Sequence, residues 1–195
     1  MRLLLATRND HKRREFARLL GGVEVDVLPE EVVLPPEDGD TFAANALGKA
    51  RAAAQATGRV SIADDSGIEA EALDGAPGVR SARYAGEQAS DEQNLHKLID
   101  EVPADSALRY VCALAYVDPI GASEQLFEGH CNGRMQTAAR GQHGFGYDPV
   151  FLADEGPEGL TMAELSDAQK DAVSHRGEAV RALLAWLGAQ HPKAG

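Results

Sequence analysis

The chain is short of several things, and each shortage narrows what it can be. Among 195 residues there are two cysteines, Cys112 and Cys131. They have no CxxC spacing and no ligand pair beside them, which argues against a zinc or dithiol motif and for two buried thiols in a reducing compartment. Cationic residues are outnumbered, with 19 Lys and Arg against 31 Asp and Glu, a formal net charge of −12. A phosphate backbone selects a basic surface, so a general nucleic-acid binder is not expected. An anionic small molecule needs a local basic cluster, or a divalent cation, to override that field. Long apolar runs are missing too. The opening Met1-Arg2-Leu3-Leu4-Leu5-Ala6-Thr7-Arg8 is too short for a signal peptide, and nothing later approaches a membrane span. The expectation is a cytoplasmic protein with no membrane partner. Repeats, low-complexity tails and long linkers are likewise missing, and no Ser/His/Asp triad or Cys/His elbow is visible.

What remains is an ordinary globular composition, 44% hydrophobic and 26% charged, in a length that suits one compact domain over residues 1–195. Leu3-Leu4-Leu5-Ala6 has the continuous apolar character of a buried strand. Thr7-Arg8-Asn9-Asp10 is a turn in which Asn9 or Asp10 can cap a helix carrying Phe16, Leu19 and Leu20 and stopping at Gly21-Gly22. Val23 to Val27 alternates apolar and acidic residues as a half-buried strand does. After a proline-broken acidic loop, Thr41 caps an alanine-rich helix to Ala56 with Phe42, Ala46, Lys49 and Ala53 on one stripe. A short strand, Val60-Ser61-Ile62, then precedes an acidic turn, Ala63-Asp64-Asp65-Ser66-Gly67. Asp74 to Gly78 is loop, and a helix is expected near Asp91 to Ile99. Leu108 to Val117 and Glu124 to Arg134 form a hairpin pattern about Asp118-Pro119-Ile120-Gly121. A glycine-punctuated loop, Gly141 to Asp148, leads to the strand Val150-Phe151-Leu152. The capping box Ser166-Asp167-Ala168-Gln169 opens a terminal helical region with Val180, Leu183, Leu184 and Leu187 on one face. The order β-α-β-α-β, then a hairpin and a helix, predicts an α/β fold with a mixed sheet.

Five segments carry candidate chemistry, each with a plainer alternative. Adjacent carboxylates at Asp64 and Asp65 repel, and a cation such as Mg²⁺ held between them would remove the penalty; acidic residues in turns are also simple turn formers. The strand-to-helix turn Thr7 to Lys12 offers a hydroxyl, an amide and cations beside a helix N-terminus, which suits phosphate or serves only as a capped helix. It lacks the spacing of a P-loop. Lys49, on the inner helix stripe, either binds a ligand or snorkels to the surface. In Gly144-Phe145-Gly146-Tyr147-Asp148-Pro149 two glycines let backbone approach a flat ligand on which Phe145 stacks and to which Asp148 hydrogen-bonds; the same residues make a tight turn. Ser174-His175-Arg176, whose histidine is five residues after Lys170, places donors together for base carbonyls or phosphate, or decorates a surface.

Taken together, these segments resemble the inosine/xanthosine triphosphate pyrophosphatase family, the HAM1-like non-canonical purine NTP pyrophosphatases. The motifs run in family order from Leu4 to about Leu187: Ala6-Thr7-x-Asn9-x-x-Lys12, Gly39-x-Thr41-Phe42-x-x-Asn45-Ala46-x-x-Lys49-Ala50, Ala63-Asp64-Asp65-Ser66-Gly67, Gly75-Ala76-Pro77-Gly78-x-x-Ser81-Ala82-Arg83-Tyr84, Gly144 to Pro149, and Lys170-x-Ala172-x-Ser174-His175-Arg176-Gly177. The resemblance implies hydrolysis of ITP, dITP and XTP to the monophosphate and pyrophosphate with Mg²⁺. It also implies an elongated two-lobed α/β fold, a central mixed β-sheet flanked by helices with a cleft between lobes, related to Maf proteins, and a homodimer. Thr7, Asn9, Lys12 and Lys49 would hold the triphosphate. Asp65 would be general base and metal ligand, with Asp64 beside it, Glu37 as a further metal carboxylate and Ser66 touching substrate. Phe145 would stack on the base, and Gly146, Tyr147, Asp148, Lys170, His175 and Arg176 would complete the nucleotide pocket. Arg8 stands where the family usually has Gly, which implies either a less tight first loop or an added phosphate contact. Ala44 stands where Glu often completes a capping box with Thr41, a loss of about 1 kcal/mol of helix stability. Two rival readings are a Maf-like pyrophosphatase of modified nucleotides, against which the Gly-Phe-Gly-Tyr-Asp-Pro and Ser-His-Arg segments argue, and a non-catalytic nucleotide sensor, which Ala44 slightly favours.

Overall fold

The computed structural model describes residues 2–190. Six strands form one mixed sheet in the order β2-β1-β3-β4-β5-β6, with helices flanking it. The strands are β1 (Arg2–Leu5), β2 (Glu24–Val27), β3 (Ser61–Ala70), β4 (Ala107–Asp118), β5 (Ser123–Met135) and β6 (Phe151–Ala153). The helices are α1 (Asp10–Leu19), α2 (Phe42–Thr57), α3 (Asp91–Glu101), α4 (Asp167–Val173) and α5 (His175–Gln190). β1 lies parallel to β2 and to β3, with Leu4 opposite Ser61 and Leu5 opposite Ile62. β6 runs antiparallel to β5. Among the described residues no helix is long and apolar enough to cross a membrane.

The chain divides into two compact units. Among the described residues, the first comprises 2–65, 112–129 and 176–190, and the second 66–111 and 130–175. Each has its own core. In the first unit Leu3, Leu5, Phe16, Ile62, Leu114 and the inward face of α5, with Val180, Leu183 and Leu187, are buried together. In the second, Ile68, Leu98, Tyr110, Phe151 and Met162 form the centre. Neither cysteine is in a disulfide and both are buried, Cys112 in the first core and Cys131 in the second. Burial, aided by the nearby Asp64 charge, pushes the Cys112 thiol up to about 12, so it is an inert packing group.

Local signals set most boundaries. Asn9 caps α1 by accepting from the backbone N–H groups of His11 and Lys12 at 2.9 and 3.1 Å. Thr41 Oγ1 accepts from Ala44 N–H at 3.1 Å, so α2 keeps its N-cap although Ala44 offers no reciprocal acceptor. Gly58, at φ +66°, closes α2 in the left-handed region where glycine carries no Cβ penalty. Ser90 caps α3 with a complete capping box, which the sequence pattern did not flag. The terminal helical region is two helices, because Ser174 is extended (φ −73°, ψ 148°) between α4 and α5.

One expectation is overturned. The acidic segment Ala63 to Gly67 is not a turn after a three-residue strand but the middle of the ten-residue strand β3. Asp is disfavoured in strands mainly for want of packing and charge compensation. Here β3 is an interior strand between β1 and β4, and both aspartates meet buried partners that outweigh local propensity.

Because the Thr41 hydroxyl is the side-chain cap of α2, Thr41→Ala is expected to lower unfolding stability by about 1 kcal/mol. Urea denaturation should show a reduced midpoint at unchanged slope.

Candidate active site

In the first unit, a network of alternating charges is built around β3. Asp64 is fully buried, and its Oδ2 is 3.0 Å from Lys12 Nζ of α1 and 3.3 Å from Arg176 Nη2 at the start of α5. Arg176, itself 2% exposed, also donates through Nη1 to Glu15 of α1. Burial acts to raise the Asp64 carboxyl, but Lys12, Arg176 and Lys49 outweigh it and hold it well below the usual carboxylate range. Asp64 is therefore an anion throughout the working pH range. Its Oδ1 is buried without a hydrogen-bond partner among the described residues.

The neighbouring Asp65 behaves oppositely. It is 5% exposed, and its Oδ2 accepts from Asn45 Nδ2 of α2 at 2.9 Å. Burial raises its proton affinity; Lys49 and Lys12 oppose, the charge on Glu37 reinforces, and the net shift is upward. Lys49 reaches from α2 to pair with Glu37 and stays buried. Its ammonium is retained because Asp64, Glu37 and Asp65 together outweigh the burial that would neutralise it. Asn45 also fixes the acidic loop, accepting from Gly39 N–H at 2.8 Å. A Cβ on Gly39 would come within 2.7 Å of Asn45 Oδ1, so the loop approaches α2 closely only as glycine. Thr7 Oγ1 accepts from Asn9 N–H at 3.2 Å, tightening the turn into α1.

In the second unit, Asp148 is the hub. Its Oδ2 accepts from Lys170 Nζ at 2.6 Å and from Phe145 N–H at 2.9 Å, and its Oδ1 accepts from the Tyr110 hydroxyl at 3.2 Å. Lys170 lies 5.3 Å from the centre of the half-buried Phe145 ring. Gly144, at φ +73°, has no space for a side chain, since a Cβ would sit 2.0 Å from Asp148 Oδ2. Tyr147 is buried and donates from its hydroxyl to the Ser81 carbonyl at 2.7 Å, anchoring the loop while Phe145 and Gly146 stay partly open. His175 stacks on Tyr110 with centroids 4.6 Å apart. Ser66, at the start of this unit, is half-buried.

Several expected site residues are engaged within the protein, Arg8 first among them. Its guanidinium donates to the carbonyls of Leu28, Pro29, Glu30 and Val32 at 2.6–3.1 Å, because an exposed fork beside four acceptors finds more partners there. Arg176 donates to Asp64 and Glu15 in the first unit. Asp148 uses both carboxylate oxygens inside the protein, and the Tyr147 hydroxyl donates to the Ser81 carbonyl. Lys49 does not snorkel.

Glu15, Asn45 and Tyr110 were not among the expected site residues. Asn45 lay inside a quoted motif. Glu15 sits one turn beyond Lys12 and next to buried Phe16, a signal that a charge there needs a partner. Nothing local marks Tyr110.

Metal fit is decided by donor chemistry. Among the described residues, no three His, Cys, Asp or Glu side chains converge, so Asp64, Asp65 and Glu37 do not make a three-carboxylate centre. Mg²⁺ asks for less, typically one or two carboxylates with water and phosphate oxygens. Asp65 and Glu37, whose mutual repulsion is expressed in the raised Asp65, fit that requirement. Asp64 is already neutralised by Lys12 and Arg176.

The sequence model of the Ham1 family matches residues 3–186. The chain belongs to the Ham1 family. Curated relatives include the dITP/XTP pyrophosphatase of Cutibacterium acnes, 46% identical with 94% of each chain covered, and that of Geobacter sulfurreducens, 46% identical with 97% of this chain and 98% of the relative covered. Among solved structures, the Staphylococcus aureus Ham1 protein superposes with a TM-score of 0.85 at 36% identity, covering 97% of this chain and all of the other. The Coxiella burnetii HAM1 protein gives a TM-score of 0.85 at 35% identity, over 97% of this chain and 99% of that one. In this Ham1 chain, Arg8 and Ala44 are thus accommodated within the family fold.

The depressed Asp64 carboxyl makes a signed prediction. Its contribution to stability is complete above the unfolded value of about 3.9 and is lost as pH falls below it. Removing the charge leaves Lys12 and Arg176 uncompensated, so Asp64→Asn is expected to cost about 3 kcal/mol at pH 7. In metal-free urea titrations the gap between wild type and variant should be constant from pH 7 to pH 5 and narrow progressively as pH falls below about 4. A gap independent of pH would show that Asp64 is not the titrating group.

Proposed function

We propose that the protein hydrolyses the non-canonical purine nucleoside triphosphates ITP, dITP and XTP to the monophosphate and pyrophosphate, with Mg²⁺, as a cytoplasmic homodimer. The observation that carries the chemistry is the buried Asp65, whose proton affinity is raised while Lys49 keeps its charge beside it and Lys12 pairs with the adjacent Asp64. Membership of the Ham1 family and the pyrophosphatase names of the curated relatives support the substrate class. The homodimer rests on the family resemblance.

Hydrolysis at the α-phosphorus forms a bond from water oxygen to phosphorus and breaks the bond to the β-phosphate oxygen, so that pyrophosphate leaves. The protein must therefore orient water, take its proton and stabilise negative charge. Asp65 is suited to take the proton, since a base is most effective when burial brings its proton affinity toward working pH. Asn45 Nδ2 holds one carboxylate oxygen and sets the direction of the other. Lys12, Lys49 and the turn from Thr7 to Asn9 supply cationic and hydrogen-bonding groups for the triphosphate. Bound through Asp65 and Glu37, Mg²⁺ would neutralise phosphate charge and polarise the phosphoryl oxygens.

Base choice is assigned to the second unit. Phe145 presents a face for stacking, and Lys170 and His175 can donate to the 6-oxo group of hypoxanthine or xanthine, where adenine carries an amine. A polar site that mispairs with the wrong base discriminates strongly. Rejection of GTP must act near the 2-position, because guanine shares the 6-oxo group.

Pyrophosphate release from ITP should require Mg²⁺ and stop with chelator. Asp65→Asn is expected to lower kcat by at least about 10²-fold, the scale of general-base loss. Turnover of ITP by that variant near the wild-type rate would remove Asp65 from the chemistry. Equal kcat/KM for ITP and GTP would refute the substrate class.

A further inference from the structure

Tyr110 joins two groups that approach from different parts of the second unit. It stands on β4, whereas Asp148 follows the Gly-rich loop and His175 opens α5. Its hydroxyl donates to Asp148 Oδ1 at 3.2 Å. With Oδ1 engaged, Oδ2 is left to receive Lys170 Nζ and Phe145 N–H. Its ring lies almost parallel to the His175 imidazole, at 14° and 4.6 Å, and packs on its other contact, Phe151, at 4.4 Å. The tyrosine is 6% exposed and in the core of the unit. Burial first, then the Asp148 charge, raises its phenol well above the ordinary value, so it remains a donor at every working pH.

We propose that Tyr110 is the positioning residue for purine recognition: its hydroxyl sets the Asp148 carboxylate that holds Lys170 and the Phe145 backbone, and its ring sets the plane of His175. The assignment rests on the base-binding role proposed for Phe145, Lys170 and His175. Tyr110 itself contacts no substrate. It fixes the rotamer and orientation of three groups that would, and a side chain that wanders by an ångström loses directional hydrogen bonds first. Its effect should therefore appear in base discrimination rather than in the bond-breaking step.

Tyr110→Phe separates the two functions, because it keeps the ring contacts and removes the hydroxyl. A buried acceptor left without its donor is costly, and the expected result is about tenfold weaker IMP binding by calorimetry. The ratio of IMP to GMP affinity should fall with it. With ITP as substrate, KM should rise in proportion while kcat stays within about twofold, the signature of lost ground-state positioning. Asp148→Asn should weaken IMP binding similarly, and adding Tyr110→Phe to it should weaken binding little further, since both act through one contact. Thermal unfolding checks that each variant is folded at the assay temperature. If Tyr110→Phe lowers the melting temperature but binds IMP and GMP as wild type does, the residue is structural and the proposal is overturned. Additive losses in the double variant overturn it equally. Binding is read on IMP without turnover, so a wild type that binds IMP selectively but releases no pyrophosphate would refute the hydrolase reading and leave this one standing. A wild type with no preference for IMP would refute both the base-binding role and Tyr110's part in it.

Discussion

Asp64 carries a negative charge in a place with no access to water, and the first unit is arranged around cancelling it. Lys12 comes from α1 and Arg176 from α5, so a single carboxylate on β3 ties two helices to the sheet. Glu15 then balances the second positive charge that Arg176 brings inward. Such a chain of buried charges holds only if every member is paired, since one uncompensated ion costs more than any one pair contributes. At Asp65, by contrast, burial outweighs the neighbouring lysines and raises the proton affinity. Two adjacent and chemically identical side chains thus acquire opposite proton affinities from their surroundings alone.

Much of the fold was legible in the sequence because its signals are local. Asn9, Thr41, Gly58 and Ser166 each act within one helical turn, and each capping or stop signal marks a boundary found in the structure. The stripe of Phe42, Ala46, Lys49 and Ala53 is buried as its periodicity required. The acidic stretch of β3 was misassigned for the converse reason. Nothing in Asp64-Asp65-Ser66-Gly67 favours a strand locally; the strand exists because β1 and β4 flank it and distant cations neutralise it. The separation of α4 from α5 rests on the extended backbone of one residue, Ser174.

The site follows the same division. Side chains grouped in sequence, such as the Thr7 to Lys12 turn and the Gly144 to Pro149 loop, were found together by inspection of motifs. Their connections were not. Glu15 and Arg176 are 161 positions apart, and Tyr110 and Asp148 are 38 apart. Adjacency could also mislead: His175 and Arg176 are neighbours in sequence but belong to different units and serve different partners. Arg8 shows that a cation in a strand-to-helix turn can be engaged by backbone carbonyls.

The two ends of the sheet have a bearing on colloidal behaviour. β2 and β6 are its edge strands, four and three residues long. β2 carries Glu24 and Asp26, which pair with Arg2 and with Arg59. Asp154 follows directly after β6. Short edges studded with charge offer an incoming strand few backbone partners and force it to desolvate ions. A protein built this way resists the edge-to-edge stacking that seeds amyloid, even where its interior strands are rich in the apolar residues that fibrils favour.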